Sequence, residues 1–516
     1  MEIATEAELK YDVPADFELP PLTDAAGVTE MAPAETHELD ATYFDTADLL
    51  LARHRRTLRR RTGGSDAGWH LKTPGDGTSR TEHRLPLGDD ADTVPAELVA
   101  EVRAIIRSAE LRPVARLRTR RVETPLRDGA GRTLALVEQD EVRADTDDGQ
   151  QTWKELEVEL VDGGPKVLKA VEKRLLAAGA THAAGPSKLA RALGDRLTAS
   201  RTSAGDADTD ARADGKSRSG PSAAAAVLDY ARAQRDAIVA NDPGVRHGDP
   251  EAVHRMRVAT RRLRSTLKTF RPLWSRELTD FLSGELKWLA ERLGEVRDGQ
   301  VLTGRLTAAV DREGTAFEPI GARVREHLGG NVQSGHGALR DALDGTRYLR
   351  LLDELDDLVD SGGKEGRNSR ETGDRAVLRR ARNALAKADA LLDAAGSTEG
   401  GGTGTEHRDE HLHEARKAYK RARYAVEVFV PTVGKPAKRL VERLTRLQDV
   451  LGDHQDSVVA REVLRDVADS ARAAGDDTFA YGVLYARQEH AGEAVLADLP
   501  IATWESRERK LRAWLD

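Results

Sequence analysis

Apolar residues recur at two different periods along this chain, and the change from one to the other divides it. Up to about Thr198 the period is two. The runs LRRR from Leu58, WHLK from Trp69, TEHRLPL from Thr81, VARLRTRR from Val114, LALVEQDEV from Leu134 and WKELEVEL from Trp153 alternate between Gly, Asp and Pro turns. That pattern predicts an antiparallel β domain, with helical interludes near 95–110 and 165–178. The stretch from Ala199 to Ser222 holds Ser, Gly, Asp, Thr and Arg with almost nothing to bury, and reads as a flexible linker. From Ala223 onward apolar residues fall three and four apart, as in AVLDYARAQRDAIV, LKWLAERLGEVRD and VERLTRLQDVLGD, so this half reads as all-α.

The helical half repeats itself. HRMRVATRRLRSTLKTF from His254 and HEARKAYKRARYAVEVF from His413 superpose at one constant offset. At about 100° per residue, His254, Arg257, Arg261, Arg264 and Lys268 share a stripe opposite Met256, Ala259, Leu263, Leu267 and Phe270. The copy places His413, Arg416, Lys420 and Arg423 opposite Ala415, Ala418, Ala422, Val426 and Phe429. The first stripe has no acid from His254 to Arg271, so it lacks the i to i+4 partners of an ordinary solvated helix. Leu293 to Asp298 (LGEVRD) recurs as Leu451 to Asp456 (LGDHQD), which extends the repeat to a duplicated helical bundle. Asp298 and Asp456 are read as groups that orient arginines. The stretches from Ser361 and from Ala395, rich in Gly, Ser and Thr, read as disordered surface loops.

Composition narrows the partner. The 516 residues suggest two to four domains, and the net charge of -8 means that positive charge is concentrated locally in a mildly acidic chain. There is no cysteine, which removes disulfides, thiolate metal sites and cysteine nucleophiles. The start MEIATEAELKYDV lacks a basic, apolar leader, and no window approaches the roughly 20 apolar residues of a membrane span. A cytoplasmic protein without membrane contact is the expectation. The basic stripes carry few aromatics for stacking bases and no Asn or Gln to read base edges, which disfavours nucleic acid. A naked phosphate chain fits them, since Arg forks grip phosphate oxygens in pairs.

The β half carries a second charged constellation. Side chains two apart on a strand share a face, which groups Glu6, Glu8 and Lys10, then Glu155, Glu157 and Glu159. It also groups Arg59 with Arg61, Arg116 with Arg118 and Arg120, and Arg80 with Glu82 and Arg84. The opposite faces are apolar, as with Ile3, Ala7 and Leu9, or Leu156, Val158 and Leu160. A closed barrel with a charged interior and helices outside has this pattern. Clustered carboxylates with all-oxygen ligation suit Mg²⁺ or Mn²⁺.

These residues resemble a known family. Glu6-Ala-Glu8-Leu-Lys10 matches the ExExK signature of the CYTH family, the triphosphate tunnel metalloenzymes. TYFDTADLLL from Thr42, LRRR, WHLK, SRTEHRL, the Asp140 strand, ELEVEL and Ser187-Lys188 follow in the expected order. The resemblance implies an antiparallel β-barrel tunnel that binds a triphosphate with a divalent metal. Glu6, Glu8, Glu157, Glu159 and Asp140 would serve the metal, and Arg59, Arg61, Lys72, Arg118 and Lys188 the phosphates. Lys10 would act on the attacking water as the catalytic residue. Arg84 departs from the family, replacing an acid of its RxExE strand, which bears on a second metal position.

The helical half resembles the CHAD domain, through HxxRxxxRRxR at His254, HxxRKxxKRxR at His413 and the two LGxxxD motifs. That resemblance implies two four-helix units around a shared groove for inorganic polyphosphate. It adds Arg262, Lys417 and Arg421 to the stripe residues. Glu427 departs by standing where Lys268 stands in the first copy. The expected organisation is an α+β multidomain chain: a triphosphate tunnel at 1–197, a linker at 198–222, and a helical domain at 223–512 with repeats near 223–355 and 375–512. The expected activity is metal-dependent hydrolysis of inorganic triphosphate, with cyclase chemistry less favoured. The alternative is a non-catalytic polyphosphate-binding or granule-targeting protein with a degenerate barrel.

Overall fold

The computed structural model describes residues 1–74, 80–88, 90–183, 185, 187–203, 222–314, 317–360, 373–397 and 405–516. Of these, only the backbone is described at 5–6, 195, 198–203, 298, 300, 327–334, 397 and 405–406. The chain separates into two units, Met1–Asp214 and Gly215–Asp516. The expected linker is described only at its ends, where 198–203 continues a helix and Ser222 caps the next one. The expected surface loop from Ser361 lies almost wholly outside the described residues; of the one expected over 395–410, only 398–404 lie outside them, while 395–397 end one helix and 405–410 begin the next, which corrects the loop reading there.

In the first unit, alternation yields strands β1 (Glu2–Glu6), β2 (Glu8–Asp12), β3 (Glu30–Met31), β4 (Glu35–Asp45), β5 (Thr57–Thr62), β6 (Gly68–Pro74), β7 (Arg80–Leu85), β8 (Arg112–Arg127), β9 (Thr133–Thr146), β10 (Gly149–Leu160) and β11 (Thr181–His182). All pair antiparallel, in the order β1-β7-β6-β5-β4-β8-β9-β10-β2-β11, with β3 beside β8. This hydrogen-bond path is open, with β1 and β11 as its end strands, and the closed barrel expected from the sequence is not what it establishes. β1 and β2 are separated only by Ala7, yet β1 pairs with β7 and β2 with β10. Numbering only helices of two turns or more, α1 spans Ala96–Ile106, α2 Pro165–Ala177 and α3 Lys188–Ser203.

Two apolar clusters position the charged face. Val167, Val171 and Leu175 of α2 pack with Tyr11, Val137, Leu156 and Val158 of the strands. Leu189, Ala192 and Leu193 of α3 pack instead against Ala41, Tyr43, Leu117 and Ala144. The second contact covers one end of β4, β8 and β9 with apolar side chains and leaves Lys188, at the start of α3, beside the acidic middle of β9 and β10. The loop after β4 is fixed by Asp45, fully buried, whose carboxylate accepts from the backbone N–H groups of Thr46, Leu51 and Ala52 at 2.7–2.9 Å.

The second unit is mostly helical: α4 (Ala223–Arg246), α5 (Pro250–Thr269), α6 (Arg276–Glu313), α7 (Glu318–Asp344), α8 (Thr346–Asp360), α9 (Asp374–Ser397), α10 (Thr405–Glu427), α11 (Lys435–Ala473), α12 (Phe479–Leu496) and α13 (Leu499–Ser506). The start of α5 is written locally: Pro250 occupies the first turn, where its missing N–H costs nothing, and Asp249 caps the N–H of Glu251 at 2.9 Å. Each of α4, α5 and α6 packs on its successor, as do α9, α10 and α11, and α5 also packs on α10. The apolar stripes read from the sequence are the buried ones, from Met256 to Phe270 on α5 and from Ala415 to Phe429 beside α10. Among the described residues, no helix is long and apolar enough to cross a membrane.

Candidate active site and anion surface

Register builds the first site. β2 lies against β10 with Lys10 opposite Glu157 and Glu8 opposite Glu159. The Lys10 ammonium therefore bonds Glu157 and stands 3.1 Å from Glu8. Both lysine and acids line a cavity with Arg59 and Arg61 of β5, Lys72 of β6, Arg80, Glu82 and Arg84 of β7, and Lys188. Of the residues expected here, Glu8, Lys10, Arg59, Arg61, Lys72, Glu157, Glu159 and Lys188 are brought together. The side chain of Glu6 lies outside those described; its backbone pairs with Arg80.

Arg118 is a correction. It is nearly half exposed on the other face of β8 and pairs with Asp145 at 2.9 Å and Asp40 at 3.7 Å. Arg121, three residues on and so on the opposite face of the pleat, enters the cavity instead. Its guanidinium forks onto Asp140 at 2.8 and 2.7 Å, reaches Glu157 at 3.3 Å and bonds Glu138. Lys188 closes the same group from α3, at 2.9 Å from Asp140, 2.7 Å from Glu155 and 2.9 Å from Glu157.

Electrostatics separates these acids. Burial opposes ionisation of Glu157, but Lys10, Lys188 and Arg121 hold it well below the usual carboxylate range. Burial likewise works against Glu8, and Lys10, with Lys72 and Arg80, holds it below its ordinary value. Glu138 goes the other way: burial, with Glu157 and Asp140 nearby, pushes it up to about 8 despite Arg121. Among the cations, burial and the charges of Arg59 and Arg121 push Arg61 down to about 9.

The carboxylates also fit a hard cation. Glu138, Asp140 and Glu157 each offer an oxygen within 4.8 Å of the others. Glu8 Oε1 is buried without a hydrogen-bond partner, and such an atom is costly unless something binds it. The donor set is all oxygen, which suits a Mg²⁺-like ion. Glu138 and Arg121, like Asp66 beside Arg61, are members that sequence reasoning passed over. At the opposite wall, His70 of β6 bridges Glu82 Oε1, 3.0 Å from Nδ1, and the Asp66 carbonyl oxygen, 2.9 Å from Nε2. Glu82 also takes Arg84 and lies 3.7 Å from Lys72.

On the second unit, Arg257, Arg261 and Arg264 of α5 face Lys287, Glu291 and Glu295 of α6 across a shallow depression. On α10, Arg416 lies 3.6 Å from Asp456, and Arg423 donates to Gln448 at 2.9 Å. The Asp298 side chain is outside those described. Lys420 sits between the stripes: burial, then Arg261 and Arg416, push it down to about 7. Burial and Arg297 depress His254, and burial and Lys417 depress His413. Lys268 is lowered chiefly by Arg421. Lys417 pairs with Glu414 at 2.8 Å. Arg262 is engaged with Glu427 and lies over the Tyr424 ring, so the departure at Glu427 becomes a tie between α5 and α10.

The geometry defines a two-unit chain with an acid-and-base cavity in a β sheet and a basic surface on a helical unit. Residues 4–193 match the model of the CYTH domain and residues 229–465 that of the CHAD domain, and the chain belongs to the proteins that join the two in this order. Uncharacterized protein Rv2226 of Mycobacterium tuberculosis is 38% identical over 521 residues, covering 96% of this chain and 95% of its own. Among solved structures, PptA from Streptomyces chartreusis is 23% identical over 55% of this chain and all of its own, with a TM-score of 0.44. The CHAD domain from the plant Ricinus communis is 28% identical over 54% of this chain and 92% of its own, with a TM-score of 0.41. CYTH proteins are metal-dependent triphosphatases or cyclases.

Proposed function

We propose that the N-terminal unit hydrolyses inorganic triphosphate, or a related triphosphorylated compound, with Mg²⁺ or Mn²⁺, and that the helical unit binds inorganic polyphosphate. One observation carries the first half: a single cavity holds Lys10 between Glu8 and Glu157 and faces them with Arg59, Arg61, Lys72 and Arg80. In this reading the first strand, split at Ala7 between β1 on β7 and β2 on β10, brings the two sides of the sheet path together as a tunnel. The helical unit is a duplication, with α4–α7 and α9–α12 as its copies.

The cations grip the phosphate chain through its non-bridging oxygens, and Arg forks fix its orientation. Glu8, Glu157 and Glu159, with Glu138 and Asp140, would hold the metal, which when bound neutralises phosphate charge that builds during hydrolysis. Lys10 releases Glu157 as the anion enters and donates from Nζ to the attacking water or the terminal phosphate. The water oxygen bonds to the terminal phosphorus, the bridging P–O bond breaks, and diphosphate and orthophosphate leave with the water's proton shared between products and solvent. Cyclisation has less support, because no adenine-specific group stands at the cavity among the described residues.

Incubating the full chain with tripolyphosphate and Mg²⁺ or Mn²⁺, with a chelator control, and assaying orthophosphate tests the first half. Metal-dependent release that Glu8→Gln and Lys10→Ala each remove is expected. Release indifferent to metal or to both substitutions would exclude it. Polyphosphate held by α5 and α10 would dock the protein on polyphosphate granules in the cytoplasm, which co-sedimentation with granules measures.

A further inference from the structure

We propose that His70 and Glu82 hold one shared proton in the wall of the N-terminal cavity at neutral pH, and that His70 is the positioning residue that keeps Glu82 against Lys72 and Arg84. The premise lies on the far side of the ring. Nε2 is 2.9 Å from the carbonyl oxygen of Asp66, and a carbonyl only accepts, so Nε2 carries a hydrogen. Nδ1 is 3.0 Å from Glu82 Oε1. Were the Nε2 hydrogen the ring's only one, Nδ1 would turn a lone pair toward a carboxylate. Two acceptors would then face each other where both side chains are 1% exposed, a costly arrangement for buried polar groups. The contact is a hydrogen bond only if one more proton is present, on Nδ1 or on Glu82 Oε1.

Burial and the neighbouring charges act on that proton. Burial drives the His70 imidazolium down to about 4 against the pull of Glu82, with Arg59 and Arg61 of β5 adding to the depression. That depression opposes a proton held by the ring alone, so the pair keeps one only through the bridge to Glu82. Lys72 of β6 and Arg84 of β7 act on the same carboxyl from the cavity side, while Asp66 pairs with Arg61. Whichever atom holds the proton, the pair is one charge more positive than a neutral imidazole beside a carboxylate. Glu82 lines the cavity, so that charge favours a polyanion there, and a bound phosphate chain in turn retains the proton. This last step rests on the triphosphate reading; the proton itself does not.

Nitrogen-15 spectra of the full chain labelled in histidine, with His70 assigned by loss of its signals in His70→Gln, test the pair directly. The expected result is a ring protonated at Nε2 with a slowly exchanging proton in the bridge to Glu82. A ring protonated at Nδ1 alone, with Nε2 bare, overturns the proposal. Tripolyphosphate binding in chelator across pH tests the consequence. The unmodified chain should lose about tenfold in affinity where the bridge proton leaves, which corresponds to a one-unit shift on binding, and His70→Gln should lose that step. Identical pH profiles overturn the positioning role. Failure of tripolyphosphate to bind at any pH removes the triphosphate reading, and the spectra still decide the proton.

Discussion

Phe270 and Phe429 meet edge to face in the helical unit, with ring centroids 6.0 Å apart and planes at 84°. They are equivalent positions of the internal repeat, each sixteen residues beyond its histidine. If the helical unit is the duplication proposed above, a residue that touches its own equivalent lies at the axis relating the copies, the contact that a twofold arrangement requires. Phe429 also meets Trp514 at 5.9 Å, which draws the chain's last turn to the same point.

Both rings are essentially inaccessible to solvent, so Phe270→Ala and Phe429→Ala should each destabilise the helical unit by about 3–5 kcal/mol. Their double mutant should cost less than the sum, by about 0.5–1.5 kcal/mol for an aromatic pair. Denaturant unfolding of the full chain, followed by helical circular dichroism, measures both. Strict additivity would remove the rings' coupling from the argument for an axis.

Arg121 and Arg118 make a paired test of the cavity. Removing Arg121 leaves Glu138, Asp140 and Glu157 buried against one another, and breaking such a buried group costs about 3–5 kcal/mol. Arg121→Ala is expected to lower stability and to cut tripolyphosphate hydrolysis at least a hundredfold, whereas Arg121→Lys keeps the charge and loses only the fork. Arg118→Ala, on a surface pair, should move stability by less than about 1 kcal/mol and leave turnover alone. A larger loss of turnover from Arg118→Ala than from Arg121→Lys would return Arg118 to the site.

That pair also marks where sequence patterning stops. Glu8 and Lys10 were legible because a two-residue spacing on a short regular strand assigns one face. Glu155, Glu157 and Glu159 were legible for the same reason. The run Arg116, Arg118, Arg120, Arg121 offers both parities, so alternation alone does not say which face turns inward. Glu138 shares its face with Asp140, but the charge that singles it out comes from Arg121 and Glu157 across neighbouring strands. His70 depends on a carbonyl four residues back, a relationship that no side-chain pattern encodes. In the helical unit both apolar stripes were legible to the residue. The fate of Arg262 was not, because its partner Glu427 is 165 positions away.

Lys420 gives the helical unit a pH response. Pushed to about 7 by burial, Arg261 and Arg416, it is partly neutral near pH 7, and phosphate oxygens nearby favour its charged form. Polyphosphate binding should therefore take up protons and weaken as pH rises from 6 to 8, by about tenfold per unit of restored pKa. His254 and His413, also depressed, act in the same direction, so Lys420→Met should remove part of the dependence. In the free protein the sign reverses: between about 7 and the ordinary lysine value the unfolded chain binds more protons, and the site's contribution to stability rises with pH. Calorimetry in buffers of different ionisation enthalpy counts the protons, and proton release on binding would contradict the assignment.

The two stripes are predicted to act on one chain of phosphates. Arg257 and Arg416 occupy equivalent repeat positions, and their stripes converge on Lys420, which feels Arg257, Arg261 and Arg416 together. A polymer long enough to touch both stripes gains from each, whereas a short one settles on either. Arg257→Ala and Arg416→Ala should thus weaken long-chain polyphosphate far more in combination than tripolyphosphate. Each lost phosphate contact should also flatten the dependence of log affinity on log salt, by an amount that is near one per contact for duplex DNA. Binding across salt concentrations for the single and double variants decides between one shared groove and two separate sites. Two separate sites would show the same loss for both chain lengths.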